Sequence, residues 1–430
     1  MVRRVPFADR HPALQSADFR RVFVNAFFAS ASFWTMLLAR GWLVFELTEQ
    51  AAWVGAVTFA GMIQMVLAGP IGGALADRSD RRLIAMAAAG VGIVAAVALA
   101  GLTIPGLVEP WHVLVFAAIG GLGRAFGTPA EQAIIPNVVP REHLLNAIAL
   151  SGVTRHGSRV VGPLLGGALL AWIGAGSVFL LSAGLLTLAL YQLVRLEYRS
   201  ELRAHDAPSL TLSSLFSDVA AGLAYVERDP RLVVVLVLVG FHCGATMAFD
   251  SMMPTLASTV GGSSVTFSGI IVGIGAGAIV GTLVVSMLPT DEATGRSFLV
   301  VGVGSGLAML VIGFATTPFM AITGGVLAGA TQASYMALSS TFVQAIVPDA
   351  FRGRVMSLYV MLAAGHMAFV NFGFGWLSDG IGVRALLIVP GLLWTVTFIA
   401  AAFLLPEMRA LVSTGAFRAR PTPVAVTAEA

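Results

Sequence analysis

Six ionisable side chains, Arg40, Arg124, Glu131, Arg155, Arg159 and Asp250, stand inside stretches that are otherwise apolar. A charged group in mid-bilayer costs about 2.5 kcal/mol or more unless it is paired or hydrated, so each is a candidate for binding or ion coupling. Arginine keeps its proton even when buried. Arg124 therefore cannot carry a proton, but it can hold an anionic group or tune a nearby carboxylate. Glu131 and Asp250 are the acidic groups able to take up and release one. Arg155 and Arg159, four residues apart, share a helix face, and that face must look at protein or water. His156, His242 and His366 could titrate near neutral pH. They lie on different apolar stretches with no metal-ligand spacing, and a lone histidine in a bundle ordinarily packs.

Position along each stretch refines these roles. Arg40 and Asp250 each lie roughly 18 residues into an apolar run, which at about 1.5 Å per residue puts both toward the outer leaflet. They are expected to pair and close the external mouth; the alternative for Arg40 is snorkelling to the headgroups. Asp250, unpaired in one state, is the best acidic candidate for proton coupling. Glu131 lies two turns nearer the cytoplasm than Arg124 on the same helix. It reads either as a proton carrier or as a counter-charge to an arginine of the 78–82 loop, and the second reading is preferred.

The elements holding these groups are membrane helices. The 430 residues are 57% hydrophobic and only 11% charged, with mean hydropathy +0.88, whereas soluble domains carry about 25% charged residues. The 48 glycines suit helices packed closely in lipid. All 25 basic residues are arginine, so a Walker A loop and a lysine Schiff base are excluded. Neither ATP nor any cofactor is expected. The arginines form no continuous basic face for nucleic acid. Cys243 is the single cysteine, which rules out an internal disulfide and a multi-cysteine metal site.

Apolar runs of about 18 to 25 residues number about twelve. In the first half they cover 22–47, 53–75, 83–104, 111–135, 144–172 and 175–196; in the second, 232–253, 265–288, 297–315, 318–345, 353–377 and 383–405. Ala29-Ser30-Ala31 resembles a signal-peptide cleavage site, but the apolar pattern runs on to Leu47, so this segment reads as a retained span. Arginines crowd alternate loops, at the N-terminus, 78–82, Arg141, 195–231, Arg296, Arg352, Arg354 and the C-terminal tail, and Arg384 alone breaks the pattern. This alternation predicts cytoplasmic termini.

The organisation read from the chain is a cytoplasmic N-terminus (1–21), a six-helix bundle (22–196), a cytoplasmic linker (197–231), a second six-helix bundle (232–405) and a cytoplasmic tail (406–430), expected to be disordered. The linker holds a mildly amphipathic stretch, Leu210 to Tyr225, suited to an interfacial helix. The two halves echo each other. At a shift of 208 residues, Pro110 matches Pro318, Gly121 matches Gly329, and Val139-Pro140 matches Val347-Pro348. Repeated halves with a midplane site between them are a recurrent transporter plan.

Three pieces of text carry a family resemblance. Gly73-Ala74-Leu75-Ala76-Asp77-Arg78, continuing through Arg81 and Arg82, is similar to the loop signature of the major facilitator superfamily, with Asp80 where the wider pattern has glycine. Gly162-Pro163 with Gly166-Gly167 resembles the glycine-proline motif of its exporters. Pro348-Asp349 through Arg352-Gly353-Arg354 resembles the loop before the eleventh span in its twelve-span drug:proton antiporter branch, which includes siderophore exporters and macrolide-efflux proteins. The resemblance implies an all-α major facilitator fold of about twelve spans in two pseudo-symmetric bundles. It implies a monomer in the plasma (inner) membrane that exports amphipathic small molecules, coupled to protons, by alternating access; a facilitator or uptake symporter for a polar metabolite is the alternative. Spans one, four, seven and ten would line the cavity, where Arg124 matches an arginine associated with proton coupling. The 208-residue shift sets Gln332 opposite it. Gly73, Asp77, Arg78, Arg81, Arg82, Glu131, Arg352 and Arg354 would latch the halves; the alternative for the first loop is a basic topogenic turn. Phe33, Trp34, Met247 and Phe249 would give hydrophobic cargo a wall.

Overall fold

The computed structural model describes residues 12–76, 78–199 and 212–415, and the regular structure within these is all helical. The first half comprises α1 (Ala17–Thr48), α2 (Ala51–Leu67), α3 (Gly69–Ala76), α4 (Arg81–Thr103), α5 (Pro110–Ile134), α6 (Leu144–Trp172) and α7 (Ala175–Val194). A linker helix, α8 (Leu212–Glu227), leads to α9 (Pro230–His242) and α10 (Met253–Thr259). Then follow α11 (Ser264–Ser286), α12 (Asp291–Gly313), α13 (Pro318–Ile346), α14 (Asp349–Ile381), α15 (Val383–Leu404) and the short α16 (Pro406–Thr414).

These helices occupy all twelve apolar runs read from the sequence. Among the described residues nine are long and apolar enough to cross a membrane alone, and α2 with α3, bent by 46°, makes a tenth. The bend falls where Pro70 withholds the amide that the Val66 carbonyl would accept. The two long helices left over, α6 and α13, are 29 residues each. They are less apolar because they carry Arg155 and Arg159, and Gln332 with several hydroxyls.

The repeat seen in the sequence returns as packing. In the first half α4 lies against α5 and α7, and α2 against α5. In the second, α12 lies against α13 and α15, and α11 against α13. These are the same neighbours six spans later. The halves meet along two seams, α2 with α14 and α6 with α11, which the same six-span step exchanges. Pro110 and Pro318 both open their helices at the first turn, where a missing amide costs nothing.

The arginine-rich loops act as caps. Asp80 accepts from the amide of Arg82 at 2.9 Å and starts α4. Arg81 donates to the carbonyls of Ala76 and Ala133, both at 3.0 Å. Arg82 donates to those of Leu193 and Val194, at 2.7 and 2.6 Å. The orphan carbonyls ending α3, α5 and α7 thus gain cationic donors. Arg384, the exception to the loop pattern, donates to the Ala315 carbonyl just past α12, at 3.1 Å.

One expectation needs correction. The tail is ordered as far as Gly415: α16 buries Met408 and Leu411 against the bundle, while residues 416–430 lie outside the described part. The linker segment forms a helix, as expected, and it touches α14, with the Tyr225 and Phe351 rings stacked at 4.6 Å.

Candidate transport cavity

A cavity of about 1050 Å³ runs from Arg40, Gly41 and Phe116 to the arginine-rich face, where Gly73, Gly353 and Arg354 line its mouth. Most of the wall belongs to α1–α7, and α14 contributes from the other half through residues 353–364. The expected lining by spans one, four, seven and ten is therefore half met. α1 and α5 line the cavity, but α9, α10 and α13 add no residue among those described, and α14 stands in their place.

At the far end both seams are tight. Where α2 meets α14, a Cβ on Gly55 would stand 2.9 Å from the Asn371 carbonyl, and one on Gly375 2.6 Å from that of Ala51. Only glycine lets the two backbones approach so closely. Asp379 of α14 accepts hydrogen bonds from the amides of Ala51 and Ala52, at 3.0 and 3.2 Å. It places a carboxylate of one half on the N-terminus of α2 in the other. No sequence signature marks Asp379, because its partners are backbone groups more than 300 residues away.

The second seam holds the glycine-proline motif. Gly162 and Gly166 pack on α1 beside Thr35, while Pro163 and Gly167 face α11. Ser268 Oγ donates to the Pro163 carbonyl at 2.8 Å, and any side chain at Gly167 would overlap Ser268. Pro163 also frees the Arg159 carbonyl four residues back. Gly275 sits against that carbonyl, where a Cβ would be 3.0 Å away. Half of the motif, Pro163 with Gly167, is thus a contact surface between the halves, and Gly162 with Gly166 is one within the first half.

The membrane charges fall into two groups. Arg124 stands over the Phe33 ring, 3.5 Å from its centroid. Arg40 donates through Nε to the Met36 carbonyl at 3.3 Å and reaches over Gly120, one turn from Arg124. The two guanidinium groups lie within each other's field. Glu131, beside Asn25, faces the field of Arg124. Arg155 also lines the cavity. In the second group Arg159 stands over Trp34 at 4.4 Å and shares its field with Asp250 across the seam between the halves.

Several expected placements differ. Arg40 and Asp250 do not meet: Arg40 turns to Arg124, and Asp250 faces Arg159. Their similar depth fixes height and leaves rotation about the helix axis open. Gln332 is 3% exposed and turned away from the cavity. Its Nε2 donates to the Thr246 carbonyl, within the π-helical turn Cys243–Met247 that follows α9. Such a turn spoils the regular ladder and leaves a carbonyl in need of a donor. Glu131 lies in the field of Arg124. Phe33 and Trp34 line the cavity, but Phe249 is packed into the core at 2% exposure, and Met247 faces Cys243 Sγ at 4.0 Å. His242 stacks on Tyr335 at 4.0 Å and has no hydrogen-bond partner on either ring nitrogen among the described residues.

Of the latch residues, Arg81 and Arg82 bond within the first half, as described above. Arg78 donates its amide to the Leu75 carbonyl at 3.1 Å, and Arg352 reaches the Val347 carbonyl at 3.5 Å. Asp77 lies outside the described residues. Gly73 and Arg354 stand on opposite sides of the cavity mouth, one in each half.

Residues 9–429 match the family described as transmembrane secretion effector. The chain belongs to that family. It is 29% identical over 359 residues to the enterobactin exporter EntS of Citrobacter koseri, covering 81% of each chain. It is 26% identical over 348 residues to the uncharacterized MFS-type transporter YfiS of Bacillus subtilis, covering 77% of this chain and 79% of the relative. Among solved structures, the nucleoside transporter NupG superposes with a TM-score of 0.72 at 13% identity, covering 89% of this chain and 99% of its own. A peptide transporter POT in complex with sulfate reaches 0.72 at 15%, covering 92% and 96%. These two share the fold. The protein is a multi-pass membrane transporter of the major facilitator type and not an enzyme.

Proposed function

We propose that the protein exports amphipathic small molecules, drugs or siderophores, in exchange for protons, by alternating access as a monomer in the plasma (inner) membrane. Both chain ends lie on the cytoplasmic side. The observation that carries this reading is a cavity of about 1050 Å³ reaching one face while both seams between the halves are packed at the other. A cavity so arranged loads from the arginine-rich side, which the distribution of arginines makes cytoplasmic. The likeness to enterobactin exporters supports the outward direction. Glu131, in the cavity wall, and Asp250, on the seam beside Arg159, are the proton carriers in this reading. The loop from Gly73 to Arg82 closes against Arg352 and Arg354 once the cavity turns outward.

The test uses inside-out vesicles with an imposed proton gradient, screened over siderophores, macrolides and dyes. Gradient-dependent accumulation that an uncoupler abolishes, and that Asp250→Asn or Glu131→Gln decouples, is the expected result. Equilibration without accumulation would mark a facilitator, and accumulation only in the reverse orientation an uptake symporter.

A further inference from the structure

The deep part of the cavity holds more positive charge than it balances. Among the described residues, Arg40, Arg124 and Arg155 line it against one carboxylate, Glu131. Arg124 has an aromatic face beneath it and no carboxylate within ion-pair distance among the described residues. Arg40 spends one donor on a carbonyl of its own helix, leaving four of the five N–H groups that a guanidinium offers. Two like charges in each other's field in a low-dielectric cleft repel each other and focus a positive potential. Since neither can give up its proton, the arrangement is relieved by an anion that both can grip.

We infer that Arg40 and Arg124 form the head-group subsite of the transport cavity, and that the cargo is an amphiphile bearing a delocalised oxyanion such as a carboxylate. This rests on the export reading above and narrows its cargo class. Two guanidinium forks match the paired oxygens of a planar anion. Phe33 under Arg124, with Trp34 beside it at 5.0 Å between ring centroids, offers an aromatic wall for the apolar body. Gly120 matters because Arg40 Nη1 would stand 3.8 Å from a Cβ there; a larger side chain would crowd the Arg40 fork. Glu131, about two turns from Arg124, competes weakly for the same cation and sets the anion affinity. Cationic amphiphiles are excluded by repulsion, which is specificity by an unfavourable contact.

The experiment measures binding to the purified protein in detergent with three probes of one apolar body: 1-pyrenebutyrate, 1-pyrenebutanol and a pyrenebutyl-trimethylammonium salt. The butyrate is expected to bind about 10-fold more tightly than the alcohol, and the cation more weakly than both. Arg40→Gln and Arg124→Gln should each remove most of the advantage of the anion while leaving the alcohol within about 2-fold, which also shows that the variants are folded. Lysine at either position, keeping the charge but losing the fork, should restore part of it. Glu131→Gln should tighten the butyrate alone. Equal binding of the three probes, or no binding of the butyrate, would overturn the inference while leaving the vesicle test of export untouched. Loss of butyrate and alcohol together in both glutamine variants, with lysine failing to rescue, would likewise overturn it.

Discussion

Asp379→Ala should open the far face. The carboxylate accepts from two amides at the start of α2, 3.0 and 3.2 Å away, and these bonds exist only while α14 stands against α2. A carboxylate on a helix N-terminus contributes about 0.3–1 kcal/mol at an exposed site. Asp379 is exposed, so screening argues against a larger figure. About 1 kcal/mol is then lost from the closed state alone, raising the open-to-closed ratio about 5-fold. Asp379→Asn, which keeps one acceptor and loses the charge, should fall between. Paired spin labels at Ile173→Cys and Ser258→Cys would report it, since both positions lie on the far face in opposite halves. The native thiol is replaced through Cys243→Ser. The longer-distance population should grow in Asp379→Ala by the stated factor. An unchanged distance distribution would refute the idea that this carboxylate holds the far face shut.

Other substitutions separate structural roles from functional ones. Arg82→Gln removes two donors from the end of α7 and should cost about 1–3 kcal/mol, seen as a lower thermal midpoint; an unchanged midpoint would contradict the capping role. Gln332→Leu strands the Thr246 carbonyl and should destabilise by a similar amount without altering cargo preference, whereas an altered preference would place Gln332 back in the site. Gly167→Val forces α6 away from α11 and should abolish transport while the protein still inserts in the membrane; wild-type transport would refute the seam.

Much of this could be read from the chain because membrane burial and helix punctuation are local properties. The run of apolar residues places each helix, and Pro110 and Pro318 mark matching starts. What failed was rotation and partnership. The repeat sets Arg124 and Gln332 at the same step of their helices, yet α13 turns Gln332 onto Thr246, where the carbonyls loosened by the π-helical turn after α9 need a donor. No proline flags that break, and the π-helical turn has only Gly244 as a hint. Arg40 and Asp250 share a depth but face different neighbours, and Asp379 binds amides, which leave no mark in a sequence.

The central claim is that one cavity faces the two sides of the membrane in turn. It is tested most directly by Leu37→Cys in the Cys243→Ser background, since Leu37 lines the cavity. A membrane-impermeant maleimide should label this thiol from the cytoplasmic face in inside-out vesicles and from the opposite face in right-side-out vesicles, with the two rates shifting in opposite directions when a proton gradient is imposed. Labelling from one face only, under every gradient, would contradict it.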